Sequence, residues 1–65
     1  MADPISGPQT KKVRKALILS QEAWARRLGV RRVTTISRWE NGKSNPEERF
    51  WGKIRRAARE AGLTL

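Results

Sequence analysis

The sequence contains no cysteine and no histidine. The first absence excludes disulfides, thiolate zinc sites and thiol catalysis. The second removes the side chain used most often as a general base and as a metal ligand. Acidic residues number only six and do not cluster, so we expect no metal and no cofactor. No base is placed to activate a serine or a lysine, and we therefore predict that the protein is not an enzyme and has no catalytic residues.

Long apolar runs are also absent. The longest, residues 16–19, is too short for a membrane span or for the core of a signal peptide. A chain of 65 residues suits one domain of a few short helices and is too small for a deep catalytic pocket. These features predict a protein of a reducing compartment with no membrane partner.

Positive charge is what the sequence has in excess. Fifteen Lys and Arg residues against six Asp and Glu give a net charge of +9 at pH 7. This is more charge than solubility alone explains in so small a chain, and it indicates an anionic partner such as a nucleic acid.

Apolar residues recur at helical spacing and predict an all-α chain. Residues 1–7 are interpreted as a flexible or loosely held tail, which Ile5 could pin to the core. Ser6 and Gln9 have the spacing of a capping box, so that a first helix is expected to begin there. Ser20 then predicts the start, and Gly29 the end, of a second helix.

Two more helices are expected in the second half of the chain. The third lies between Arg32 and Asn41, where Asn-Gly is a stop signal. The fourth is expected to have Asn45 as its N-cap and Pro46 as its first residue, and to end at Gly62.

The second and third helices, joined by a glycine-containing turn on a basic chain, indicate a helix-turn-helix. Such a motif needs a second helix with one buried edge and an opposite edge that reaches DNA bases. Ile36 and Trp39 supply the buried edge of the third helix. Thr34, Ser37 and Arg38 project from the other side.

Two sequence strings carry a family resemblance: LSQEAWARRLGV at 19–30 and ISRWENGK at 36–43. Together they resemble the Cro/repressor-type (XRE-like) helix-turn-helix family. The resemblance implies a small four- to five-helix, lambda-repressor-like domain over residues 8–62, with 63–65 as the C-terminal end. It also implies a cytoplasmic, nucleoid-associated bacterial or phage protein that binds double-stranded DNA and regulates transcription, with repression as the expected outcome.

The resemblance assigns roles to individual residues. Arg38 matches a base-reading position, and Thr34 and Ser37 match positions that face the groove. The residues that match DNA-backbone contacts are Gln21, Asn41 and Lys43; we add Arg31 and Arg32, which lie beside the groove-entering helix. The residues that match the core behind the recognition helix are Trp24, Leu28, Ile36 and Trp39.

Two positions depart from the family pattern. The step from Val30 to Ile36 is one residue longer than expected, which affects the first turn of the recognition helix. Ile18 stands where the family often has glycine, and a β-branched residue disfavours positive φ. We therefore expect the link between the first two helices to differ.

Less specific interpretations remain open for several residues. Arg38 could be a solvated arginine or an intrahelical partner of a carboxylate. Gln21 could be a surface residue, and Arg31 and Arg32 an ordinary charged loop. The basic runs at 11–15 and 55–59 are interpreted as solvated faces. The tryptophans are expected in the core, with Glu40 as a semi-buried partner for an indole N–H.

The alternative function is an antitoxin or phage-type control protein whose main partner is another, toxin-like protein. A homodimer on DNA would have to pair through the domain's own surface, around Leu63 and Leu65. A membrane-surface basic peptide and a double-stranded RNA binder are weaker alternatives. The first would need an exposed apolar face on the protein. The second is disfavoured because the deep, narrow major groove of an RNA duplex does not admit the third helix.

Overall fold

The computed structural model describes residues 4–65, which contain four α-helices. They are α1 (Gly7–Ala16), α2 (Gln21–Leu28), α3 (Val33–Glu40) and α4 (Glu48–Glu60). α3 packs against α1 and α2, and α4 packs against the same two helices. The all-α class predicted from the sequence is therefore confirmed. None of these helices has both the length and the hydropathy of a membrane span.

The predicted caps of the first two helices are present. The backbone N–H of Gln9 donates to the Ser6 hydroxyl at 3.3 Å, and the Ser6 N–H donates to the Gln9 side chain at 2.7 Å, which completes the capping box. Ser20 caps α2 by accepting from the N–H of Ala23 at 3.0 Å. Gly29 ends α2 with a φ of 79°, the left-handed conformation that glycine adopts without strain.

The flexible tail predicted for residues 1–7 is wrong for its second half. Ile5 is buried, Ser6 caps α1, and Gly7 is the first residue of that helix. Burial of the Ile5 side chain offsets the conformational entropy lost by ordering this short segment. The remaining part of the predicted tail, residues 1–3, lies outside the described residues.

The start of α1 touches the end of α3 closely at Gly7. A Cβ atom on this residue would lie 1.9 Å from the backbone oxygen of Trp39. Only glycine allows the two backbones to approach to this distance, so that Gly7 sets the position of α1 relative to α3.

The predicted start of α4 is also wrong, by two residues. Glu47 is the N-cap of α4 and caps it without a side-chain hydrogen bond. The expected cap, Asn45, instead accepts a hydrogen bond from the Gly7 N–H at 3.1 Å. Its side chain therefore satisfies a free donor of α1 across the fold rather than one of α4. The carbonyl of Pro46 accepts from the Trp51 indole at 3.1 Å.

The core lies between the four helices. All four residues expected behind the recognition helix are buried, namely Trp24, Leu28, Ile36 and Trp39. Trp39 also packs on Phe50, with ring centroids 5.6 Å apart and planes inclined by 55°. The Trp24 indole N–H is buried without a hydrogen-bond partner among residues 4–65. The expectation that Glu40 partners an indole is thus wrong.

Candidate nucleic-acid interface

α3 has one buried and one exposed side. Ile36 is fully buried and Trp39 is only 3% exposed, whereas Thr34 and Arg38 are exposed and Ser37 is half-buried. The helix is eight residues long and its first turn is rich in β-branched residues, which are weak helix formers. Packing of Ile36 and Trp39 therefore stabilises α3 in place of local propensity.

The C-terminal end of α3 is held by a buried ion pair. Glu40, whose side chain is 3% exposed, accepts two hydrogen bonds from Arg14 of α1: from Nε at 2.6 Å and from Nη2 at 3.0 Å. Arg14 also donates to the Leu19 carbonyl at 2.8 Å, and Gln21 donates to Glu40 at 3.0 Å. Arg14 thus joins α1, the α1–α2 turn and α3. Its predicted place on a solvated face is wrong.

The environment of Glu40 keeps its carboxylate ionised. Burial by itself raises the pKa of Glu40. Hydrogen bonds from Arg14 and Gln21, together with the positive charges of Arg14 and Lys11, outweigh burial and hold the pKa below its ordinary value. A bidentate arginine–carboxylate pair of this kind gives both strength and a defined geometry.

Three of the candidate DNA-backbone residues lie around this ion pair. Gln21 is bound through one amide hydrogen to Glu40 and sits at the first position of α2. Asn41 is exposed and follows Glu40, and its amide approaches the Ser37 hydroxyl at 3.4 Å. Lys43 is exposed, and its backbone N–H donates to the carbonyl of Arg38 at 2.9 Å. The structure therefore brings Gln21, Asn41 and Lys43 to one end of α3.

The other two candidates lie at the opposite end of α3. Arg31 and Arg32 are both exposed, and Arg32 occupies the N-cap position without a side-chain cap. A groove of about 340 Å³ opens beside them, lined in addition by Arg49, Glu47 and Phe50. Arg49 pairs with Glu47 at 3.0 Å and stands 4.6 Å from the centre of the Phe50 ring. Arg49 is therefore balanced by Glu47, and Arg31 and Arg32 give the N-terminal end of α3 its net positive charge.

The arrangement of α2, turn and α3 agrees with the comparison to protein families. Residues 11–60 match the helix-turn-helix family. The chain belongs to the Cro/repressor-type helix-turn-helix family. The searches of curated proteins and of solved structures give no match. Proteins of this helix-turn-helix family are DNA-binding regulators of transcription, and membership supports DNA as the partner.

Both departures from the helix-turn-helix pattern have a structural counterpart. The longer step after Val30 is accommodated before α3, which begins at Val33 behind an uncapped Arg32. At the other position, Ile18 adopts a φ of 57°. The expectation that a β-branched residue would change the link between α1 and α2 is thus wrong, because the chain adopts the left-handed turn in spite of it.

The residues that position α3 have weaker sequence signals than those on its surface. Gly7, Arg14 and Asn45 act across the fold and have no partner close in sequence. A signal did exist for Arg14: Glu40 falls on the buried side of the third helix, and a buried carboxylate requires a cation. The sequence offers several cations on α1 and does not distinguish among them.

Proposed function

We propose that the protein is a repressor that recognises a specific DNA sequence by inserting α3 into the major groove. The observation that supports this is the asymmetry of α3. Ile36 and Trp39 clamp it from behind, while the Arg38 guanidinium is exposed and has no partner among residues 4–65. A short helix held by one edge, with a free guanidinium on the other, has the geometry that base reading requires.

Arg38 is the residue that discriminates most strongly in this proposal. Its planar fork of donors matches O6 and N7 of guanine, the commonest specific contact in the major groove. Thr34, one turn earlier and exposed, and Ser37, half-buried, face the same groove. They supply shorter polar or methyl contacts to neighbouring bases.

Phosphate contacts at both ends of α3 supply affinity and orientation. Those at its C-terminal end come from Gln21, Asn41 and Lys43, and those at its N-terminal end come from Arg31 and Arg32. Each neutralised phosphate adds about 0.9 to the slope of log affinity against log salt concentration. These contacts act on any sequence, so they position α3 without carrying specificity.

The test begins with selection of bound duplexes from a random pool at two salt concentrations. Arg38→Ala should then weaken binding to the selected site by about 1–3 kcal/mol and reduce discrimination at one base pair. Arg56→Ala is the matched control, because Arg56 is an exposed arginine of α4. If Arg38→Ala and Arg56→Ala bind selected and random DNA equally well, α3 is not the reading helix.

A second question is whether the chain pairs with a copy of itself or with a different protein. Repression as a homodimer predicts half-sites about 34 Å apart, or a multiple of that, and two chains per duplex in sedimentation.

The second candidate is a control protein whose partner is a different protein. The groove at the C-terminal end of the chain, about 230 Å³ in volume, favours it. The groove is lined by Leu63 and Leu65 and flanked by Arg55 and Arg59. The exposed positive charge of Arg59 beside these leucines favours an acidic partner over a second copy of the chain. One chain per selected duplex, together with a different protein in a stoichiometric complex with this chain, would support this second candidate.

A further inference from the structure

Ile18 is held in a backbone conformation that does not suit it. Its φ of 57° lies in the left-handed region, and it is the one residue other than glycine with a positive φ in the part of the chain that the structure describes. This conformation is a genuine outlier for a β-branched residue, whereas glycine adopts it freely. The fold alone would therefore be served better by glycine.

Burial does not explain the isoleucine. Its side chain is 91% exposed, while the neighbouring Leu17 and Leu19 pack against the core. The residue thus adds backbone strain and exposed apolar surface, and its side chain buries little against the described residues. Strain of this kind is retained where the surrounding structure enforces it, and such positions concentrate at binding sites.

The turn that carries Ile18 is rigidly connected to the recognition helix. The Ile18 N–H donates to the Lys15 carbonyl at 3.0 Å, and the Leu19 N–H donates to the Arg14 carbonyl at 3.1 Å. The Arg14 guanidinium donates to the Leu19 carbonyl and, from the same group, to Glu40 at the end of α3. Ile18 is therefore presented in a fixed orientation relative to α3.

The surroundings of Ile18 are complementary to a DNA backbone. Lys15, whose carbonyl accepts from Ile18, has an exposed side chain, and the N-terminal, positive end of α2 begins at Gln21, three residues after Ile18. A DNA strand alternates anionic phosphates with largely apolar deoxyribose rings. Along the chain, the apolar side chain of Ile18 lies between an exposed lysine and a helix N-terminus, and this order matches the alternation of phosphate and sugar.

We propose that Ile18 packs against a deoxyribose of the bound duplex, beside the phosphate contacted at the start of α2. This inference rests on the proposed function and adds a contact that reads no base. Since the contact is to sugar, it strengthens binding to selected and to random duplexes by the same factor. Since it neutralises no charge, it leaves the salt dependence unchanged.

The test compares three substitutions at this position. Ile18→Gly and Ile18→Asn relieve the strain, because glycine and asparagine tolerate the left-handed region. Both should raise the melting temperature by about 2–5 °C and weaken binding to selected and random duplexes alike, by about three- to tenfold. Ile18→Leu retains an apolar side chain and should bind within about twofold of the wild type. The slope of log affinity against log salt should be the same in all four proteins.

Two variants run in parallel separate this inference from the proposed function. Lys43→Ala should lower the salt slope by about 0.9, and Arg38→Ala should weaken the selected site more than random DNA. If Arg38→Ala behaves in this way while Ile18→Gly and Ile18→Asn bind as the wild type does, the sugar contact is overturned and the DNA-binding function stands. If Arg38→Ala loses no specificity, the reading helix itself is wrong. A wild-type protein that binds no duplex overturns both.

Discussion

At its C-terminal end α3 is fixed by specific contacts, whereas at its N-terminal end it is open. Glu40 is buried in a bidentate pair with Arg14, and Trp39 lies against both Gly7 and the ring of Phe50. At the other end Arg32 gives no side-chain cap, and Val33 is 39% exposed. One short helix is thus anchored like a core element at one end and left open to solvent at the other.

This difference shows how a domain of 65 residues holds a helix with weak intrinsic propensity in a defined position. Anchoring at one end leaves the first backbone N–H groups and the cationic turn of Arg31 and Arg32 accessible. In the proposed function the exposed side of α3 enters the groove, and the anchored end sets its angle. Substitutions that remove contacts at the anchored end should therefore lower the stability of the fold. A substitution that adds the missing N-cap at the open end should raise it.

The largest effect is expected from Arg14→Met. It leaves the buried carboxylate of Glu40 with Gln21 as its remaining partner, and removal of one member of a buried pair costs about 3–5 kcal/mol. Lys12→Met is the control, since Lys12 lies exposed on the same helix. Urea unfolding should separate the two variants clearly. Equal stabilities would show that the ion pair does not anchor α3.

The next largest effect is expected from Gly7→Ala. The added methyl group would meet the backbone oxygen of Trp39 at 1.9 Å, and the two helix ends would have to separate. We expect a loss of about 3 kcal/mol in unfolding free energy, at the upper end for overpacking. Gly52→Ala is the matched control with the opposite sign. A Cβ at Gly52 meets nothing within 4 Å, so that alanine in mid-helix should stabilise by about 1 kcal/mol.

A smaller loss of stability is expected at acidic pH. The pKa of Glu40 is lowered in the folded protein, so its ionised form contributes stability above the unfolded value of about 4.3. This contribution is lost as the pH falls below that value and through the lowered pKa. Urea midpoints measured from pH 7 downward should decline in that window. Carbon NMR of the Glu40 carboxyl checks the assignment directly; titration at or above the ordinary value would contradict it.

The elements that could be predicted from the sequence are those decided by neighbouring residues. Ser6 with Gln9, and Ser20, each cap a helix through backbone groups three positions away. Gly29 ends α2 by its own conformational freedom. Burial of Ile36 and the outward position of Arg38 follow from the period of α3. Such features need no knowledge of the tertiary fold.

The residues that could not be predicted act between distant parts of the chain. Asn45 has the sequence position of a helix cap, yet its amide oxygen is used by Gly7, 38 residues away. The need for glycine at that position appears only when α1 and α3 are brought together. Ile18 is a different case, because the preference of a β-branched residue for negative φ predicted the wrong backbone conformation. The contacts of Arg14 with Leu19 and the turn around it outweigh that preference.

The smallest expected effect is at the open end of α3, and it has the opposite sign from those at the anchored end. Arg32→Ser places a hydroxyl at the N-cap, where it can accept from a free N–H of the first turn and stabilise by about 1 kcal/mol. Arg31→Ser removes the same charge one residue earlier and creates no cap. Thermal unfolding should therefore distinguish the two variants, while each lowers the salt slope of DNA binding by about 0.9 if its arginine contacts a phosphate. Equal melting temperatures would mean that the first turn of α3 already has its donors satisfied. The two ends of α3 would then differ only in the Arg14–Glu40 ion pair and the contact of Gly7 with Trp39, both at the C-terminal end.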